Sequence, residues 1–190
     1  MKKLPKILLA SVALTAVSAC SSELSESEQA VLDERMAKEA AKPTNLTALM
    51  QANPDLSTAA LAVGQSGIAQ ELKDDGPFTS FIAPNDAFKR MEDGRLEELM
   101  TPEKKSELAG IAKYGLVNGT LKSADIAKAI TDGGGTASLT TLEGTDIKAT
   151  MEGDKIVLED GAGNKVNILE ADIESSNGTM HIVDTVMMPN

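Results

Sequence analysis

The chain has 190 residues, and 18 basic against 29 acidic side chains leave a net charge of -11. Only Phe78, Phe81, Phe88 and Tyr114 are aromatic, and Cys20 and His181 are the single cysteine and the single histidine. Such a chain lacks both the basic footprint that neutralises phosphates and the rings on which bases stack, so no nucleic acid partner is expected. It cannot form an internal disulfide or a Cys/His zinc site, and its stability has to come from one core drawn from the 42% apolar residues.

Lys2, Lys3 and Lys6 precede an uncharged run from Ile7 to Ala19, 13 residues long and so shorter than a membrane span needs. Residues 1–19 therefore read as an export signal. The run closes with Val17-Ser18-Ala19-Cys20, which resembles the bacterial lipobox, in which the Cys becomes the new N-terminus and carries acyl chains such as palmitate. A plain secretory signal with an incidental Cys is the other reading; the lack of a second Cys favours lipidation. Processing at Cys20 removes three lysines and no acid, leaving 15 basic against 29 acidic groups, or -14. Several acyl chains would hold the product on a membrane that it does not cross. By resemblance to Gram-negative lipoproteins, Ser21 in place of Asp points to the outer membrane.

Residues 20–43 are rich in Ser, Glu, Ala and Lys and end at Pro43, the composition of an acidic tether. Its second half, from Gln29, favours a transient helix that could present Val31, Leu32 and Met36 to a partner, or simply act as a solvated spacer.

From residue 44 to 190 the pattern is that of one packed domain. Leu46, Leu49 and Met50 share a helical face. Asn53-Pro54 predicts a cap and a first-turn proline for a helix through Val63, interrupted at Gly64 and Gly67 before a short helix ending near Lys73. A β run over 76–83 stops at Pro84. Asn85 and Asp86 then open a helix carrying Phe88 and Met91, where their side chains should satisfy the free N–H groups. Helices over 97–100, 102–112 and 123–130 follow, the last capped by Ser123. Beyond Gly133 the period becomes two, with strands expected over 138–142, 147–151, 155–158, 165–168 and 179–187, separated by turn residues that argue antiparallel hairpins. Helices followed by such a sheet give an α+β domain.

Four blocks of this domain carry a family resemblance. Phe78-Thr79-Ser80-Phe81-Ile82-Ala83-Pro84-Asn85-Asp86-Ala87-Phe88 resembles the first signature of the fasciclin (FAS1) domain family, close to "FTVFAPTNEAF". Asn177-Gly178-Thr179-Met180-His181-Ile182-Val183-Asp184-Thr185-Val186-Met187-Met188-Pro189 resembles its second, "NGVIHVIDTVLLP". Tyr114 to Leu121 resembles "YHVVPGKL", and Ala52 to Ser57 resembles "ANPDFS". The resemblance implies a bent β-wedge with a helical layer. One departure is that the family's Tyr-His pair is Tyr114-Gly115 here, so contacts of that imidazole do not transfer.

Most of the signature residues read as structural: Phe78, Phe81 and Phe88 can pack against Ile182, Val183 and Val186. His181 could be a general base working with Asp184, or a histidine hydrogen-bonded inside its motif; strand alternation, which sends residues three apart to opposite faces, favours the second. Asp160-Gly161-Ala162-Gly163-Asn164 lacks EF-hand spacing and fits a hairpin turn better than a calcium site.

Three functions follow as expectations. The resemblance implies an adhesion or interaction module at the bacterial envelope, meeting an envelope or extracellular protein or polysaccharide. In animal members an Asp-Ile pair before the second signature is associated with integrin binding, and the match is Asp172-Ile173; alternatively Ile173 packs in the sheet and Asp172 is solvated. The second is carriage of a lipophilic ligand such as a carotenoid, suggested by some relatives and by methionines including Met180, Met187 and Met188. The third is catalysis, for which the chain offers no nucleophile–base set, cofactor loop or metal cluster, leaving only paired carboxylates.

Overall fold

The computed structural model describes residues 44–190 except Asp75. The export signal, Cys20 and the tether lie outside the described residues. Among the described residues no helix is long and apolar enough to cross a membrane.

The first half is mainly helical. α1 (Leu46–Ala52) is capped by Asn45, whose side chain accepts from the Ala48 N–H. A 3-10 turn over Pro54–Leu56, capped by the Asn53 side chain, leads into α2 (Ser57–Ser66). Gly64 does not break α2 as expected: the helix runs through it and ends at Gly67, whose φ of 88° suits a residue without a side chain. α3 (Glu71–Asp74), α4 (Asn85–Lys89), α5 (Arg95–Leu99), α6 (Lys105–Tyr114) and α7 (Ser123–Asp132) complete the α-helices among the described residues. α4 ends before Met91, which the sequence had placed within it.

The sheet has seven strands: β1 (Phe78–Ile82), β2 (Leu116–Asn118), β3 (Thr136–Thr140), β4 (Asp146–Glu152), β5 (Lys155–Glu159), β6 (Lys165–Ser175) and β7 (Gly178–Val183), in the order β2-β1-β7-β6-β5-β4-β3. The α+β wedge with its helical layer is as expected, with three differences. β2 forms between the helices expected over 102–112 and 123–130, in a stretch for which the sequence predicts no element. β6 runs on to Ser175, and β7 stops at Val183. β1 pairs parallel to β7, so the sheet is mixed and not purely antiparallel. An isolated bridge between Val117 and Thr141 brings the two sheet edges together.

β1 and β7 divide the core. Phe78, Ile82, Met180 and Ile182 face α1 and α2, packing with Leu46, Met50, Leu56 and Val63. Phe81 and Val183 face the other way, toward Tyr114, Ile126 of α7 and the inward residues of β3–β6. Every residue of β1 is buried because both of its faces are covered. The three Phe residues therefore do not share one surface: Phe78 and Phe81 serve opposite faces, and Phe88 packs against both clusters.

Candidate functional site

The two signature segments, about a hundred residues apart, lie side by side. Their parallel register sets Phe78 against Gly178, Thr79 against Thr179, Ser80 against Met180 and Phe81 against His181. The close approach at the first pair admits only glycine at 178, since a Cβ there would come within 1.8 Å of the Phe78 carbonyl oxygen.

A hydrogen-bonded chain runs from this strand pair to α7. The Thr79 hydroxyl donates to the Gly119 carbonyl at 2.7 Å and accepts from the Leu121 N–H at 2.8 Å, holding the loop that follows β2. The Leu121 carbonyl, 2.9 Å from His181 Nε2, can only accept, while the Asp172 N–H, 3.3 Å from Nδ1, can only donate. Those partners assign the neutral imidazole with its proton on Nε2. The ring is fully buried and stacks on Phe81, with centroids 5.3 Å apart and planes 20° from parallel. Burial pushes the imidazole below its ordinary pKa, against the Leu121 contact and the Asp172 charge.

Asp172 owes its position to the irregularity of β6. Glu170 pairs with Ile182 and Ile173 with Met180, so Ala171 and Asp172 both stand opposite the single His181. This is a β-bulge, and Asp172 takes a φ of 62°, alone among the described non-glycine residues. Its carboxylate accepts from the Ser123 N–H at 2.6 Å and the Ser123 hydroxyl at 2.5 Å. Ser123, read from the sequence as a cap, is thus the first residue of α7 and is capped from β6. Burial acts to raise the Asp172 pKa, but the Ser123 donors outweigh it and hold the carboxyl below the ordinary range. Ile173 packs against the helical-side core. Of the pair matched to integrin binding, one side chain faces the core and the carboxylate of the other is engaged at a helix start.

The other signature residues also tie elements together. Pro84 precedes α4 and its carbonyl accepts from Ala87 N–H. Asn85 does not cap its own helix: its side chain accepts from the Thr58 N–H at 2.9 Å and donates to the Pro54 carbonyl at 2.9 Å, capping α2 across space. Asp86 instead pairs with Lys89. Tyr114 is buried at the end of α6, its hydroxyl donating to the Asp146 carbonyl at 3.3 Å. The Gly115 carbonyl, where the family has histidine, accepts from the Phe81 N–H. Asp184 lies beyond β7, its carboxylate accepting from the Asn167 backbone and side chain at 2.8 and 2.7 Å and from Thr185 at 3.0 Å. Burial raises its pKa and these donors outweigh that, leaving it low. The structure therefore joins His181 to Asp172 and Leu121, and Asp184 to Asn167.

Sequence reasoning missed Ser123 and Leu121 as partners of the second signature, and Asn177 as a junction. Asn177 accepts from the Leu46 N–H at 2.9 Å and donates to the Leu72 carbonyl, joining α1 and α3 to the strand pair. The Asn-Gly dipeptide marked only a turn. In the loop considered for calcium, the Asp160 carboxylate takes N–H groups from Asn164 and Met188, closing the turn and holding the C-terminal segment.

An apolar cavity of about 70 Å³ lies between the sheet and the helices, lined by Val63, Phe81, Phe88, Met91, Leu108 and Val186 among others.

Residues 54–189 match the fasciclin domain family. The chain belongs to the fasciclin (FAS1) domain family. This FAS1 chain is 30% identical over 137 residues to Protein sll1483 of Synechocystis sp., covering 72% of this chain and 69% of that protein. It is 33% identical over 147 residues to Homo sapiens periostin, covering 77% of this chain but only 16% of periostin. The solved FAS1 domain pair from the insect cell adhesion molecule Fasciclin I aligns with a TM-score of 0.68 at 18% identity, over 77% of this chain and 51% of that one. The FAS1 chain thus spans about half the length of the domain pair whose fold it shares.

Proposed function

We propose that this FAS1 protein is a non-catalytic binding module, anchored at the outer membrane of a bacterial envelope by acyl chains on Cys20, where it mediates adhesion to an envelope or extracellular protein or polysaccharide. The observation that supports the reading is a FAS1 domain, the fold of an insect cell adhesion molecule, following a segment that resembles a lipobox. The internal use of the second signature supports a non-catalytic role: both nitrogens of His181 and the carboxylates of Asp172 and Asp184 serve backbone and loop contacts.

The test is the intact mass of the protein extracted from its own membranes, followed by its retention on immobilised envelope polysaccharide and matrix protein. An acylated chain beginning at Cys20 that is retained on either supports the proposal. A chain with a free Cys20 thiol would remove the anchor, and an acylated chain retained on neither surface would remove the adhesive role.

The second reading, carriage of a lipophilic ligand such as a carotenoid, draws on the apolar cavity. Its volume of about 70 Å³ is below the ~150 Å³ known to admit a benzene ring. A long polyene would require α2 and α6 to part from the sheet, so this reading ranks second. A coloured or lipid-bearing preparation from the native membrane would reverse that order.

A further inference from the structure

The FAS1 domain holds one buried titratable ring whose two hydrogen bonds demand a single protonation state. We propose that His181 is an acid-operated latch: protonation at Nδ1 sets a second N–H against that of Asp172 and releases the β6 bulge together with the start of α7.

The geometry supplies each step. Asp172 N–H offers no lone pair, so an imidazolium would face it donor to donor, while the Nε2 contact to the Leu121 carbonyl is unaffected. The charged groups around the ring do not restore the balance. On β6 the Asp172 carboxylate attracts the cation, yet it is already held by Ser123. Lys122, ahead of α7, pairs at 2.7 Å with Glu174 of β6. Asp125 of α7 accepts from the Lys122 N–H. β1 contributes Phe81, which is uncharged, and the neighbours of His181 on β7 are Met180 and Ile182.

The release is local because the ladder is already weak there. Register breaks on both sides of Glu170 leave few paired residues to unzip, and Asp172 sits in the left-handed region, a conformation that its contacts must maintain. Moving Asp172 also withdraws the cap of α7, so the bulge and the helix start open as one unit. Leu169, extruded between the pairs at Ile168 and Glu170 and 63% exposed, marks the surface that opening would enlarge.

The direction in pH follows from burial, which keeps the closed-state imidazole below its usual value. The open state takes up the proton first, so closure is fully favoured above about pH 6.5 and weakens as pH falls, levelling off only below the closed-state value. In that interval the opening constant rises about tenfold per pH unit. The inference stands whether or not the domain is adhesive.

The test is amide hydrogen exchange on the full chain from about pH 7.5 to about pH 5, corrected for intrinsic rates, alongside an NMR titration of the imidazole. Because His181 is the only histidine, its ring signal needs no assignment. Protection at Asp172 and Ser123–Ile126 should fall as pH drops below about 6.5 while the amides of β3 and β4 keep theirs, and His181→Gln should flatten the profile. Constant protection, or the same acid loss in His181→Gln, would overturn the proposal. If His181→Gln does not fold, the ring titration decides: a midpoint at the pH where the loss of protection levels off supports the latch, and one displaced from that pH by more than about a unit sinks it.

Discussion

Phe81 and His181 are register partners across the parallel strands β1 and β7, and their rings stack at 5.3 Å. The stack fixes one face of the imidazole while Leu121 and Asp172 fix its edge, so each signature orients a residue of the other. Phe81→Ala should lower unfolding free energy by about 3–5 kcal/mol, read from urea denaturation. A loss below about 1 kcal/mol would mean that Phe81 is not a central core element.

Gly178 tests the contact between the signatures more severely. A Cβ at this position would collide with the Phe78 backbone, which cannot yield without breaking the β1–β7 ladder. Gly178→Ala should leave the protein insoluble or unfolded in circular dichroism, whereas Gly64→Ala, on the exposed side of α2 with open space around it, should be neutral or stabilising. Equal behaviour of the two variants would contradict the close approach.

Asp172 separates a capping role from a recognition role. Asn tolerates a positive φ and can still accept from the Ser123 N–H, so Asp172→Asn should cost about 0.5–1.5 kcal/mol. Asp172→Ala loses the cap and strains the bulge, costing about 2–3 kcal/mol in the same melt. If Asp172→Ala is as stable as the parent yet fails to adhere, the carboxylate serves a partner and not the fold.

In acid the carboxylates take over from the histidine. Asp172 and Asp184 are both held below the ordinary carboxylate range when folded, so they contribute stability above the unfolded value of about 3.9 and lose it as pH falls through the folded values. Melting temperature should drop below about pH 4, and Asp184→Asn should show a shallower drop. An unchanged slope in Asp184→Asn would show that the Asn167 contacts do not set it.

If Cys20 carries the proposed acyl chains, Cys20→Ser should move the protein from the membrane to the soluble fraction without altering its melting curve, because such chains act on location and not on the domain's core. Retention of Cys20→Ser in washed membranes would refute lipid anchoring.

The features legible in the sequence were local ones. Apolar spacing and Asn53-Pro54 marked α1 and α2, and turn residues after Gly133 marked the hairpins, since a helix face and a strand alternation are written within a few positions. The signature strings marked the family. Asn85 illustrates where this reading stopped: an Asn at a helix start suggests a cap for that helix, and only the packing of α4 beside α2 turns it to Thr58. For Asp172 and Ser123 the same holds, because their contact spans 49 positions.

The sequence by itself determined that the chain is an acidic, cysteine-poor FAS1 member with an α+β domain, because composition, periodicity and motif are properties of neighbouring residues. The tertiary structure alone decided that β1 lies between β2 and β7, antiparallel to the first and parallel to the second, that β6 bulges opposite His181, and that the lone imidazole is neutral and enclosed. The first depends on register between segments about a hundred residues apart, and the others on how β6 and the loop after β2 close around His181; both follow from how the faces of a shared strand pair are buried, and no local pattern encodes them.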